Sequence, residues 1–225
     1  MKMPDQSRSP RPTDKTTGKR ATKTQAERSA ATRELLLAAA INCLFEYGYG
    51  PTTTTLVANA AGVSRGAMLH QFPTKADLMI FVVEATFADE VVYYRELLGD
   101  IDDRHERLLA YPAAVWRIMG RPEGVAVLEI LQGSRSDPAL AHKLAPVQER
   151  IEAAAVTALT EEFQRPPSLP LMQLIIAVAR GLAIGNLISE QDDDGRDALS
   201  LFQQLLRSWR STAEARQEPA IRPEG

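Results

Sequence analysis

Residues 52–78, T-T-T-T-L-V-A-N-A-A-G-V-S-R-G-A-M-L-H-Q-F-P-T-K-A-D-L, leave this chain few ways to fold. The Thr53 hydroxyl can accept from the free N–H groups at the start of a helix, predicted over 54–61. Gly62 stands where that helix must stop, since glycine adopts the left-handed conformation without a Cβ penalty. Ser64 can cap a second helix carrying Arg65, Gly66, Ala67, Met68, Leu69, His70, Gln71 and Phe72. Pro73 and Thr74 stop it and open a third, with Lys75 in its first turn. Two short helices joined by a glycine-containing turn form a helix-turn-helix. Such modules place the second helix in the major groove of DNA.

The residue types suit that geometry. Gly66 lets the helix backbone come close to phosphates, and Ala58 and Ala61 let the two helices cross tightly. Val57, Val63 and Met68 can seal the core beneath them. The outward set is Ser64, Arg65, Ala67, His70 and Gln71, nearly all able to hydrogen-bond. Arg65 suits a phosphate or guanine, and Gln71 can pair with adenine.

Gly48-Tyr49, Thr52-Thr53, Val57-Ala58, Ala61-Gly62-Val63-Ser64, Gly66, Phe72-Pro73-x-Lys75 and Leu78 together resemble the N-terminal motif of TetR-type transcriptional regulators, in register across residues 32–82. Two positions depart from it. The family usually carries an aromatic residue at the place of Leu69, where it touches the DNA backbone, and often a hydroxyl residue at that of Ala67. The expected DNA contacts are Arg33, Thr53, Ser64, Arg65, Gly66, Ala67, Leu69, His70, Gln71 and Lys75. Thr53 and Lys75 would hold phosphates, while Arg65, His70 and Gln71 would read base edges. A cation in the first turn of a helix opposes the macrodipole, which an anion facing Lys75 would offset.

Charge is distributed unevenly. Residues 1–80 hold 11 Lys+Arg against 6 Asp+Glu, and the remainder 15 against 23, within a formal net charge of −3. A basic N-terminal part fits a nucleic-acid end, with a different task beyond it. Residues 1–28 are polar and basic with little to bury, so they are expected to form a disordered arm. Lys15, Lys19, Arg20 and Lys23 could lie along phosphates or enter a minor groove. The polar first 30 residues lack a signal-peptide core. Arg180 interrupts the most apolar run, at 169–188, and the chain is expected in the cytoplasm with no membrane partner.

The chain reads as all-α, with no run of period-two alternation. A helix is predicted over 26–47, its core stripe formed by Leu36, Leu37, Ala40, Ile41, Leu44 and Phe45. It completes a three-helix DNA-binding domain over 29–80. Phe45 and Phe72 are read as core aromatics, and Cys43, the sole cysteine, as a buried small hydrophobe. A long helix from Lys75 to Leu98 would link this head to a larger helical effector-binding and dimerisation domain over 81–215. A flexible tail is expected over 216–225. Further helices are expected at 103–119, 123–135, 138–163, 171–189 and from the acidic turn at 192–195 to residue 212. The carboxylates of Asp100, Asp102 and Asp103 are read as helix caps, and no metal or cofactor is expected.

The last two helices are apolar on more than one face. Leu174, Val178, Gly181, Gly185, Leu199, Phe202, Leu206 and Trp209 are the expected dimer interface. In TetR-like proteins the corresponding pair forms a four-helix bundle with its symmetry mate. Two recognition helices about 34–36 Å apart would then meet an inverted-repeat operator. By the same resemblance a small effector would enter a pocket, for which Trp116, Met119, Leu128, Leu131, Gln132, Phe163, Arg180 and Asn186 are candidates. Arg180 needs a partner, either Glu129 or an acidic ligand.

The sequence therefore reads as a homodimeric, ligand-responsive transcriptional regulator, a repressor if its operator overlaps a promoter. A dimeric helical interaction protein with weak or lost DNA binding is the alternative, to which Leu69 and Ala67 lend weight. Gly62-Val63-Ser64-Arg65-Gly66 also matches the G-x-S-x-G of hydrolase nucleophile elbows, but that motif needs a strand entering the turn, so no enzyme is expected.

Overall fold

The computed structural model describes residues 24–163, 168–188 and 195–217. Most of the expected arm, the acidic residues at 192–194 and the end of the expected tail lie outside the described residues, as does the Phe163 side chain. Nine helices and no strand occur among the described residues: α1 Gln25–Tyr47, α2 Thr54–Ala60, α3 Arg65–Gln71, α4 Lys75–Leu98, α5 Arg104–Met119, α6 Pro122–Gly133, α7 Pro138–Phe163, α8 Leu169–Ile188 and α9 Arg196–Gln217.

Local chemistry sets the helix ends. Thr24 and Glu27 close a capping box, so α1 starts a residue earlier than predicted. The Thr24 hydroxyl accepts from the Glu27 N–H at 3.2 Å, and the Glu27 carboxylate accepts from the Thr24 N–H at 2.6 Å. Gly48, at φ 76°, ends α1 with its N–H donated to the Leu44 carbonyl. The Thr53 hydroxyl accepts from the Leu56 N–H and that of Ser64 from the Ala67 N–H. Gly62 turns the chain between them at φ 65°. Asp103 is the cap among the three carboxylates, accepting from the N–H groups of His105 and Glu106. Pro122 sits at the first position of α6, where its missing N–H costs nothing. α9 runs on to Gln217, past the predicted end at 212.

Two cores hold the helices together. In the first, Leu36, Ala40, Leu44, Val57, Met68, Phe72, Leu78 and Met79 pack with Ala126 and Ile130 of α6 and with Leu140, Leu144 and Val147 of α7. The expected boundary at residue 80 is thus no break in packing, because α6 and α7 complete the core of the head. The second core joins Leu98 at the end of α4 with Leu109, Tyr111 and Val115 of α5, Met172, Ile175 and Ala179 of α8, and Leu206 of α9. α4 passes through both, and so connects them mechanically.

Three expectations about burial need correction. Phe45 is 44% exposed, since it lies about 100° around the helix from Leu44 and leaves the stripe made by Leu36, Ala40 and Cys43. Leu199 and Leu206 were assigned to an interface with a second copy, yet both are buried within the protomer. The exposed stripe of α9 is instead Leu201, Leu205 and Trp209, at four-residue spacing. Leu169–Leu187 is the one segment among the described residues long and apolar enough to cross a membrane. Its inner stripe, Met172, Ile175, Ala179 and Ala183, is buried in the protomer.

Candidate nucleic-acid interface and effector cavity

The second helix of the helix-turn-helix is anchored by one residue and free on the other side. Met68 is completely buried, whereas Ser64, Arg65, Gly66, Ala67, Leu69 and His70 are exposed. A Cβ built on Gly66 would meet nothing within 4 Å, so packing within the protomer does not require that glycine. The surface above it is open. Thr53 is exposed beside this face, its hydroxyl already capping α2.

Three expected contacts are engaged inside the protein instead. Gln71 donates from Nε2 to the Ser29 hydroxyl at 2.8 Å, which ties α3 to α1 and engages one of its donors. The Arg33 guanidinium lies 4.3 Å from the Phe81 ring centroid and 4.9 Å from that of Phe72, so it covers the core as a cation over two stacked rings. Lys75 donates to the carbonyls of Tyr49 and Gly50 at 2.6 and 3.3 Å, and sits 3.8 Å from the Tyr49 ring centroid. Those partners offset the unfavourable dipole without an outside anion. Burial lowers the Lys75 pKa, the charge of Asp137 acting in the opposite sense.

The G-x-S-x-G sequence has no elbow geometry. Ser64 lies between two helices with its Oγ accepting from the Ala67 N–H, and no strand is present among the described residues.

Residues 36–80, the part that builds this face, match the family described as "Bacterial regulatory proteins, tetR family". The HTH-type transcriptional regulator CymR of Pseudomonas putida is 31% identical over 173 residues, covering 73% of this chain and 84% of that protein. The chain belongs to the TetR family. It is a DNA-binding transcriptional regulator, all-α, with a helix-turn-helix head and a larger helical part beyond it. The HTH-type transcriptional repressor Rv1474c of Mycobacterium tuberculosis is 33% identical over 138 residues, covering 60% of this chain and 68% of that one. Among solved structures, the multidrug binding protein EbrR complexed with imidazole shares the fold with a TM-score of 0.53 at 24% identity, covering 78% of this chain and 89% of that one.

Of the pocket residues expected for this TetR-family regulator, Trp116 lines a cavity of about 190 Å³ with Leu97, Leu98, Ala110, Ala113, Ala114 and Arg117. Leu128 is buried, Leu131 packs on the first core, Met119 and Trp116 pack on the second, and Gln132 is exposed. Asn186 lies beside Gly195, at the start of α9. Glu129 accepts from the Tyr49 N–H at 2.9 Å. Among the described residues, the Arg180 Nε and the Trp116 Nε1 are buried without a hydrogen-bond partner. A second cavity, of about 70 Å³, is lined by Phe87, Val91, Tyr94, Arg95 and Leu98 of α4, Tyr111 of α5, and Ala155, Ala158 and Leu159 of α7. Tyr94 and Tyr111 meet there with ring centroids 5.3 Å apart, and burial drives both phenol pKa values up. Glu90, one turn before Tyr94, has its carboxyl pushed up to about 7 by burial, against the pull of Arg121. The sequence carried one signal for this place, the alanine-rich run of α7. Small side chains facing aromatic ones leave space.

Proposed function

We propose that this regulator acts as a homodimeric repressor that reads an inverted-repeat operator and releases it on taking up a small apolar effector. The carrying observation is the open face of α3, where Arg65 and His70 stand exposed around Gly66 while Met68 is locked in the core. Arg65 and His70 are assigned to base edges, and Thr53, Ser64 and the backbone at Gly66 to phosphates. Ala67 and Leu69 offer only apolar contact, which suits a thymine methyl.

Dimerisation is supported by the outer face of α8 and α9. Leu174, Ala177, Gly181 and Ile184 form an exposed stripe at alternating three- and four-residue steps. Leu201, Leu205 and Trp209 continue the apolar surface on α9. Space above Gly181 and Gly185 is open, leaving room for a second helix to approach closely. Such a patch in a DNA-binding protein is better matched by a second copy than by a membrane, and the regulator is placed in the cytoplasm with its operator.

The cavity between α4, α5 and α7 is assigned to the effector. Its walls are aromatic and aliphatic apart from Arg95, so a compact, mainly apolar molecule is expected, with Tyr94, Tyr111 or Arg95 able to supply a polar contact. α4 begins in the head and ends at this cavity, and a ligand that favours one seating of α4 would shift the head with it. Repression is supported by the name of the Mycobacterium tuberculosis relative.

The experiment is selection of bound duplexes from a random DNA pool at near-physiological salt, with wild type and Arg65→Ala. Enrichment of an inverted repeat by wild type, with specificity relaxed at one position per half-site in the variant, is the expected result. Failure to enrich any sequence would favour a dimeric interaction protein with lost DNA binding.

A further inference from the structure

We propose that Tyr49 is a positioning residue that sets the separation of the two recognition helices, by fixing the α1–α2 turn to three other helices at once. Its peptide N–H donates to Glu129 Oε2 of α6 at 2.9 Å. Its carbonyl accepts from the Lys75 ammonium of α4 at 2.6 Å. Its hydroxyl donates to Asp137 Oδ2 at 2.6 Å, and Asp137 in turn caps α7 by accepting from the Leu140 N–H at 3.0 Å. The ring lies directly on Gly133, the last residue of α6, where an added Cβ would stand 2.3 Å from the ring carbons. The Lys75 ammonium lies 3.8 Å from the ring centroid.

Each polar group of Tyr49 thus goes to a different element, and the ring is packed tightly against Gly133. Glu129 and Asp137 lie 80 and 88 residues away in sequence. α2 and α3 follow the turn directly, so their orientation relative to α6 and α7 is set at this residue. The core beneath the head is apolar and non-directional. Three hydrogen bonds and one tight steric contact supply the direction that burial alone lacks. Exposure of α3 to DNA does not depend on them, but its angle to the body does.

The inference rests on the dimeric, inverted-repeat reading, and its test separates the two. Affinity is measured by fluorescence anisotropy for an isolated half-site and for duplexes whose two half-sites are spaced at the selected distance or one base pair longer or shorter. Wild type is expected to favour the selected spacing by tenfold or more. Tyr49→Phe, which keeps the ring and loses the bond to Asp137, should cut that preference several-fold with half-site affinity unchanged. Gly133→Ala, which displaces the ring from the other side, should do the same or more, and Tyr49→Ala should exceed Tyr49→Phe. If Tyr49→Phe and Gly133→Ala both keep the wild-type spacing preference, or lose half-site affinity in parallel with it, Tyr49 is a structural residue only and the inference fails. If wild type itself shows no advantage for two half-sites, the dimeric reading fails and the inference with it.

Discussion

Arg33 sits 4.3 Å above the ring of Phe81, and Phe81 stacks on Phe72 at 4.9 Å. A residue that local sequence presents as a solvent-side phosphate contact is therefore a lid on the head's core. Arg33→Ala is predicted to destabilise the protein by about 0.5–2 kcal/mol through lost cation–π and stem packing. The slope of log affinity against log salt should not change, whereas loss of a true phosphate contact lowers it by about 1. Anisotropy titrations across a salt series, with urea denaturation of the same variant, check both halves.

α2 and α3 have seven residues each, too short to persist without their caps and core contacts. Thr53→Ala and Ser64→Ala are each predicted to cost about 1 kcal/mol in chemical denaturation. Ser64→Ala should also weaken DNA binding beyond what stability explains, because the cap orders the first turn that carries Arg65.

Glu90 makes stability depend on pH. Its carboxyl titrates at about 7 in the folded protein against 4.5 as the ordinary value, because burial disfavours the charged form. Between those values the folded state keeps a proton that the unfolded state has lost. Stability therefore falls as pH rises from 4.5 to about 7, by about 3 kcal/mol in all, and this contribution is flat outside that window. Glu90→Gln should remove this component, measured as unfolding free energy in urea from pH 4.5 to 8. A variant with the same pH profile as wild type would contradict the assignment.

Adjacent residues of α9 should respond in opposite ways. Leu205 is 58% exposed and Leu206 is 8% exposed. Leu205→Glu is predicted to give a folded monomer in sedimentation velocity, with protomer stability changed by less than about 0.5 kcal/mol. Leu206→Ala should keep self-association and lose about 2–4 kcal/mol of stability from the cavity created.

What the sequence made legible was local. Gly62, Ser64, Thr74 and Asp103 act on neighbours three or four residues away, so the helix-turn-helix and most helix ends could be read from them. Which face of α9 is inward could not, because Leu199, Leu201, Leu205 and Leu206 are chemically alike and only α5 and α8 distinguish them. The cavity between α4, α5 and α7 is hidden for the same reason. Tyr94, Tyr111 and Ala155 meet across three helices, and no spacing along the chain records that meeting. Gln71 and Lys75 have donors that suit DNA, but Ser29 and the Tyr49 carbonyl, distant in sequence, take them first.

Two copies of this chain are proposed to read one operator together. The most direct measurement compares a duplex bearing the selected inverted repeat with one bearing a single half-site, by mass photometry for stoichiometry and anisotropy for affinity. Two protomers are expected on the full site, with affinity at least a hundredfold above that for the half-site. One protomer on each, bound equally well, would contradict it.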